Sequence, residues 1–275
     1  IDVDKQIALA SQQYQLMLAA RTDTSTTIHS AKQDGSYSNK PSSWWCSGFF
    51  PGGLWYLFEK TKDPKWESAA RLWTAAVKKE QFNTGTHDLG FMMFDSFGNG
   101  LRLTKDPEYK KVLIQSAKSL ATRFDPNIGL IKSWNGFKGG YKYPVIIDNM
   151  MNLELLFFAS AVTGDTSFKH IALTHALNTM KNQIRSDYSS YHVVCYDTLT
   201  GKVEGTETAT LSLNNGKAST SFTITDAISY SLESFMTPEE GQSIAVTLTT
   251  QGLANGSTVP YTITGITQAD LSVGT

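Results

Sequence analysis

The sequence predicts a mainly α protein built from helical hairpins and followed by a smaller all-β tail. Three observations predict it. A capped-helix motif repeats: Thr61-Lys62-Asp63-Pro64-Lys65-Trp66 is echoed by Thr104-Lys105-Asp106-Pro107-Glu108-Tyr109, and more loosely by Thr163-Gly164-Asp165-Thr166-Ser167-Phe168. Composition shifts along the chain, with all six Trp at or before Trp134, the last Arg at Arg185 and the last His at His192. Beyond Gly205 the chain is rich in Thr, Ser, Gly and Val, and apolar residues alternate there where earlier they recur at helical spacing.

From Asp4 to Arg21, Ile7, Leu9, Ala10, Tyr14, Met17 and Leu18 mark an amphipathic helix. The polar stretch Thr22 to Ser43, with Gly35 and Pro41, reads as a long loop. The aromatic and Gly-rich run Trp44 to Tyr56 enters a helix ending near Lys60. In each echo of the repeat, Asp is a natural N-cap, because its carboxylate accepts from amides that the helix leaves unpaired. Pro follows in the first two, where it suits the first helical turn. These caps open the runs Trp66 to Phe82, Tyr109 to Phe124 and Phe168 to Ile184. Between them lie two runs headed by other acids, Leu89 to Leu103 after Asp88 and Met150 to Val162 after Asp148. About seven helices precede Ser186. Hairpins in series bury their second face against neighbours, in an α-solenoid or a closed ring.

Tyr191 to Tyr196 reads as a strand. Thr208 to Leu213 and Ala218 to Thr225 alternate around Asn214-Asn215-Gly216, a hairpin signal, and Ile244 to Thr250 and Thr258 to Thr264 are further strands. The two regions meet near Thr198 to Gly205, dividing the chain into 1–200 and 201–275.

A formal net charge of -1 over 275 residues provides no basic field for nucleic acid and no polybasic membrane patch. No apolar run approaches the roughly 20 residues of a membrane-spanning helix. The start at Ile1, without a signal-peptide pattern, fits a cytosolic or a mature secreted protein, and localisation stays open with a periplasmic or extracellular site ahead of a cytoplasmic one. Cys46 and Cys195 lack metal or redox spacing and read as two unrelated buried thiols. No metal ligand set and no cofactor is implied.

The candidate chemistry lies in Thr86-His87-Asp88-Leu89-Gly90-Phe91 and Val145-Ile146-Ile147-Asp148-Asn149-Met150. An Asp just before a helical run is ordinarily a cap. The alternative is that Asp88 and Asp148 face one cavity, where repulsion raises one carboxyl pKa while helix dipoles hold the other ionised. That separation serves acid/base chemistry. Trp45, Phe49, Phe50 and Trp134 are either core or a platform for the apolar face of a sugar. His192, beside Val193, is more often a satisfied histidine than a ligand or base.

Three motifs in order carry a family resemblance. Trp45-Cys46-Ser47-Gly48-Phe49-Phe50-Pro51-Gly52, His87-Asp88-Leu89-Gly90-Phe91 and Ile147-Asp148-Asn149-Met150-Met151-Asn152-Leu153 together resemble the unsaturated glucuronyl hydrolases, glycoside hydrolase family 88, over roughly residues 1–200. The resemblance implies an (α/α)6 barrel, which is a closed ring of hairpins. It implies removal of a 4,5-unsaturated uronic acid from the non-reducing end of oligosaccharides left by polysaccharide lyases. In that chemistry water adds across the vinyl ether double bond and the hemiketal opens to release the sugar. Asp148 would be general acid and base, and Asp88 would hold geometry and charge. Trp45, His87, Trp134, Asn149 and His192 would bind the unsaturated oligosaccharide.

The chain departs from this pattern after His192, where the family's Trp-x-Arg-Gly-Gln-x-x-Trp type segment has no counterpart. About five of the ring's twelve helices are not represented, so the fold expected is an incomplete barrel whose open edge exposes apolar faces and offers a surface for self-association. The tail segments Glu207-Thr208-Ala209-Thr210-Leu211-Ser212-Leu213-Asn214-Asn215-Gly216, Glu240-Gly241-Gln242-Ser243 and Val259-Pro260-Tyr261-Thr262-Ile263-Thr264-Gly265 resemble Calx-beta-like bacterial β-sandwich repeats. Two other functions fit the same residues: a non-catalytic carbohydrate-binding or surface structural protein, and an inactive fusion of two fragments.

Overall fold

The computed structural model describes residues 2–207 apart from 22 and 34, and beyond them only the backbone of segments 210–214, 219–223, 229–233, 247–251 and 263–264. The helices are α1 (Val3–Ala20), α2 (Phe49–Thr61), α3 (Pro64–Ala76), a π-helical segment Gly90–Gly98 continuing as α4 (Asn99–Thr104), α5 (Pro107–Ala121), α6 (Leu153–Thr163) and α7 (Thr166–Gln183). Among the described residues no helix is long and apolar enough to cross a membrane.

The repeat is a hairpin device with a local cause. Asp63, Asp106 and Asp165 each accept from the amide two residues on, at 3.0, 3.0 and 2.9 Å. The Thr two residues earlier closes the preceding helix: Thr61, Thr104 and Thr163 donate to the carbonyls of Leu57, Gly100 and Ala159, each at 2.7 Å. The same hydroxyls accept from the Asp amides at 3.3, 3.3 and 3.1 Å. The residue between them is left-handed in every case, Lys62 at φ 58, Lys105 at φ 60 and Gly164 at φ 78. One hydroxyl thus ends a helix while the neighbouring carboxylate starts the next.

Packing follows the hairpins. Phe50, Leu54, Trp55, Leu57, Trp66, Ala70 and Trp73 form one core between α2 and α3, with Ile7, Tyr14, Met17 and Leu18 of α1 against it. Buried Trp55 directs its indole N–H to Thr74 Oγ1 at 2.9 Å, which satisfies the one polar group of that core ring. The next core joins Leu89, Met92, Met93 and Phe97 to Val112, Leu113 and Leu120 of α5, Leu153, Leu155 and Leu156 of α6, and Phe168 and Ala172 of α7. The outer face of α7 carries Leu173, Leu177 and Met180 at successive helical turns, all exposed.

Two strand systems depart from the sequence expectation. The stretch 22–43 is not simply a loop: β1 (Thr26–Ala31) pairs antiparallel with β2 (Tyr37–Pro41). Its polar side chains hide the pairing because only Thr27 and Ile28 of β1 are buried. Short β3 (Phe124–Asp125) pairs with β4 (Leu130–Ile131). Then β5 (Tyr143–Ile146), β6 (Val193–Tyr196) and β7 (Val203–Glu207) form a three-stranded antiparallel sheet with β6 central. The boundary read at residue 200 therefore falls in the turn between two paired strands.

In the tail, β8 (Thr210–Asn214) pairs antiparallel with β9 (Ser219–Thr223), as the alternation predicts, and β12 (Ile263–Thr264) adds to β9. A separate pair joins β10 (Ser229–Glu233) to β11 (Thr247–Gln251). Asn215 and Gly216 of the expected turn lie outside the described residues, as does any packing of these strands into a sandwich.

Candidate active site

Three helix starts converge at the site, those of α2, the π-helical segment and α6. Close backbone approach makes this possible. A Cβ on Gly48 would collide with the carbonyl oxygens of Phe91 and Met92, and one on Gly90 would lie 2.5 Å from Asn152 Cα. The glycines let the first and third motifs press onto the second from either side. Phe91 N–H donates to Asn152 Oδ1 at 3.0 Å and completes the junction. A π-helical segment at such a junction is a common accompaniment of functional sites.

Neither acid caps a helix. The π-helical segment Gly90–Gly98 and the 3-10 turn Ile147–Asn152 that holds Asp148 both lack a side-chain cap bond. Instead, His87 Nε2 lies 3.2 Å from Asp88 Oδ1 and 3.2 Å from Asp148 Oδ1. The Thr86 hydroxyl donates to Asp88 Oδ2 at 2.5 Å. The side chains of His87 and Asp88 are 2% and 10% exposed, against 46% for Asp148. Burial pushes the Asp88 carboxyl above its usual range, with repulsion from Asp148 acting the same way, while His87, Thr86 and Arg123 pull it down. The expected repulsion between the acids is present, but burial outweighs it.

The loop before β5 anchors the histidine. Ser133 N–H donates to Pro144 O, Ser133 Oγ accepts from Ile146 N–H, and Ser133 O accepts from His87 Nδ1, at 2.9, 2.9 and 3.0 Å. Ile147 N–H donates to His192 O at 3.0 Å, extending the β5–β6 ladder to the residue before Asp148. Buried Arg123 donates to the carbonyls of Thr84 and Lys132, tying the Asp88 loop to the Ser133 loop.

Aromatic rings lie against His87 and Phe91 of the Asp88 motif. Trp45, Phe49 and Phe91 meet edge-to-face, with centroids 5.5 to 6.0 Å apart. Trp45 is 42% exposed and Phe49 39%, so these two face solvent, whereas buried Phe50 belongs to the core. Trp134 meets His87 edge-on at 5.9 Å and stacks on Phe137 at 5.5 Å and 12°.

Two of the residues expected at the sugar are buried in this structure. His87 is buried beneath the acids and does not line the surface of the site. Asn149, also fully buried, turns inward so that its Nδ2 donates to Ile131 O at 2.9 Å, because the 3-10 turn aims successive side chains in different directions. His192 is exposed beside Asp148's turn through its backbone, while Trp134 meets the His87 ring and Trp45 meets Phe91. Gly48, Gly90, Asn152, Ser133 and Phe137 were not singled out by sequence reasoning. The two glycines at helix starts carry a readable signal, whereas Ser133 and Phe137 carry none. Among the described residues no group of three or more His, Cys, Asp or Glu is arranged to hold a metal ion, and both cysteines are free. A buried acid, a half-exposed acid and an imidazole between them can together perform acid/base chemistry.

No family model matches the chain. It is 47% identical over 169 residues to an unsaturated glucuronyl hydrolase of Formosa agariphila, covering 61% of this chain and 42% of that protein. It is 30% identical over 175 residues to an unsaturated chondroitin disaccharide hydrolase of Streptococcus pyogenes serotype M1, covering 62% and 44%. A crystal structure of an unsaturated glucuronyl hydrolase specific for heparin matches at TM-score 0.68 and 42% identity, covering 75% of this chain and 56% of that one. The helical region shares the fold of those α/α barrel structures. The chain spans less than half the length of the curated relatives it matches.

Proposed function

We propose that the helical region carries the active site of a hydrolase that removes a 4,5-unsaturated uronic acid from the non-reducing end of lyase-generated oligosaccharides. One observation carries this reading: Asp88 and Asp148, from separate hairpins, meet at the same imidazole nitrogen beside exposed aromatic rings. Similarity to unsaturated glucuronyl and chondroitin disaccharide hydrolases supports the substrate class.

Asp148 is the acid open to solvent, so it meets the substrate. Its carboxyl gives a proton to the alkene carbon, positive charge develops on the carbon bonded to the ring oxygen, and water adds there. The carboxylate takes the proton that the water releases, and the hemiketal opens to free the remaining sugar. Buried Asp88 contributes negative charge beneath the developing cation. Trp45 and Trp134 hold the apolar sugar faces. The uronic carboxylate and its linkage partner are the chemical class recognised, without a metal or cofactor in the proposed step.

The experiment follows ultraviolet absorbance of the conjugated alkene in an unsaturated uronyl disaccharide, with wild type and Asp148→Asn side by side. Loss of absorbance with wild type alone supports the hydrolase. Binding of the disaccharide without any loss supports instead a carbohydrate-binding protein.

A further inference from the structure

We infer that His87 is a positioning residue that holds one shared proton between Asp88 and Asp148 and does not touch the sugar. The catalytic use of that proton rests on the hydrolase reading above, whereas its existence rests on geometry alone.

Hydrogen-bond accounting requires the proton. Ser133 O can only accept, so the His87 Nδ1 3.0 Å away carries hydrogen. Nε2 then faces Oδ1 of Asp88 and Oδ1 of Asp148, each at 3.2 Å. Without a further proton, three acceptors would oppose one another around a side chain 2% exposed, an arrangement that burial makes costly. The proton sits either on Nε2 or on a carboxyl that donates to Nε2. Both arrangements contain the same number of protons and differ only by a short transfer along one hydrogen bond.

The surroundings make this proton a private one. Thr86 already occupies Asp88 Oδ2. Arg123 is the buried cation acting on Asp88, and its Nε and Nη1 donate to Lys132 O, Thr84 O and Asn135 Oδ1 rather than to either acid. From α7, His175 is pushed down to about 3 by burial and then by charge on His87, so it stays neutral, with Nδ1 accepting from Ile131 N–H. Trp134 meets the ring edge and brings no titrating group. Asp148, the one exposed member, is the outlet. When its carboxyl protonates the alkene, a carboxylate is left against neutral imidazole. The proton lost by the added water returns to that carboxylate, and the count is restored.

The test begins with imidazole 15N–1H NMR of the 275-residue chain as wild type, Asp88→Asn and Asp148→Asn. The expected result is a His87 ring with Nδ1 protonated throughout, whose Nε2 protonation midpoint moves to lower pH in both variants. A midpoint unmoved by either variant, or an Nδ1 without hydrogen, overturns the inference whether or not the protein turns over substrate. Kinetics of His87→Gln, which keeps an N–H donor but cannot bind the shared proton, then tests its use. The expected result is a kcat loss of at least about tenfold with KM within about twofold, and one limb of the pH profile displaced. A raised KM with kcat and pH profile retained would place His87 at the sugar and overturn the inference. Silence of the wild type on the disaccharide would defeat the hydrolase reading and leave the NMR result to decide the shared proton.

Discussion

Asn152 and Phe91, from the two motifs that hold the acids, are joined by one hydrogen bond: Phe91 N–H donates to Asn152 Oδ1 at 3.0 Å. Asn152 is fully buried, and its backbone lies against Gly90. The start of the π-helical segment is therefore capped by the neighbouring hairpin and not by its own sequence.

Asn152→Ala removes that acceptor and leaves the Phe91 amide unpaired in the interior. We expect a loss of about 1–3 kcal/mol in urea unfolding. Alkene turnover should fall further than the folded fraction does, because the bond also sets where Asp88 lies relative to Asp148. Turnover that tracks the folded fraction would confine the bond to stability.

Gly90→Ala places a methyl group 2.5 Å from Asn152 Cα, a backbone atom that cannot swing away. The expected cost is about 1–3 kcal/mol, with turnover reduced because the second motif is pushed off the third. Gly136→Ala is the control, since its added carbon meets nothing within 4 Å. Equal melting temperatures for the two variants would contradict the close approach.

Trp45→Ala removes an exposed ring of the proposed platform. KM for the unsaturated disaccharide should rise about tenfold, with stability changed by no more than about 1 kcal/mol. A loss of several kcal/mol without a KM change would make Trp45 a core residue.

Asp95, in the π-helical segment, has its carboxyl pushed from 3.8 up to about 6 by burial and then by repulsion from Glu154. The folded state thus binds this proton more tightly than the unfolded state. Stability from this group is fully present below about pH 4 and is lost as pH rises through about 6. Asp95→Asn should therefore unfold later than wild type at pH 7.5, by on the order of 1–2 kcal/mol once solvent screening of its open side is allowed for, and alike at pH 4. Denaturant titrations at the two pH values check it, and a gain of equal size at both would rule out the protonation origin.

Parts of the fold were legible because their causes are local. Asp63, Asp106 and Asp165 bond to amides two residues away, and no distant contact is needed to make them caps. The strand pair β8–β9 shows in alternation and turn residues for the same reason. The β1–β2 hairpin did not show, because its polar strands lack the apolar alternation by which a strand is recognised.

The acids mark the limit. By itself the sequence determined the helical hairpins, their caps, and the presence of Asp88 and Asp148 at two helix starts in motifs that resemble a known family. It left open whether those acids cap helices or meet, because an Asp before an apolar run has the same local appearance in either case. Tertiary structure decided that point. His87 and Asp148 stand 61 residues apart in the chain, and what brings them within 3.2 Å is glycine-to-backbone contact, the Asn152 bond and the β5–β6 ladder. It also turned His87 and Asn149 inward, since the side on which a residue emerges from an irregular turn depends on backbone angles that neighbouring elements impose.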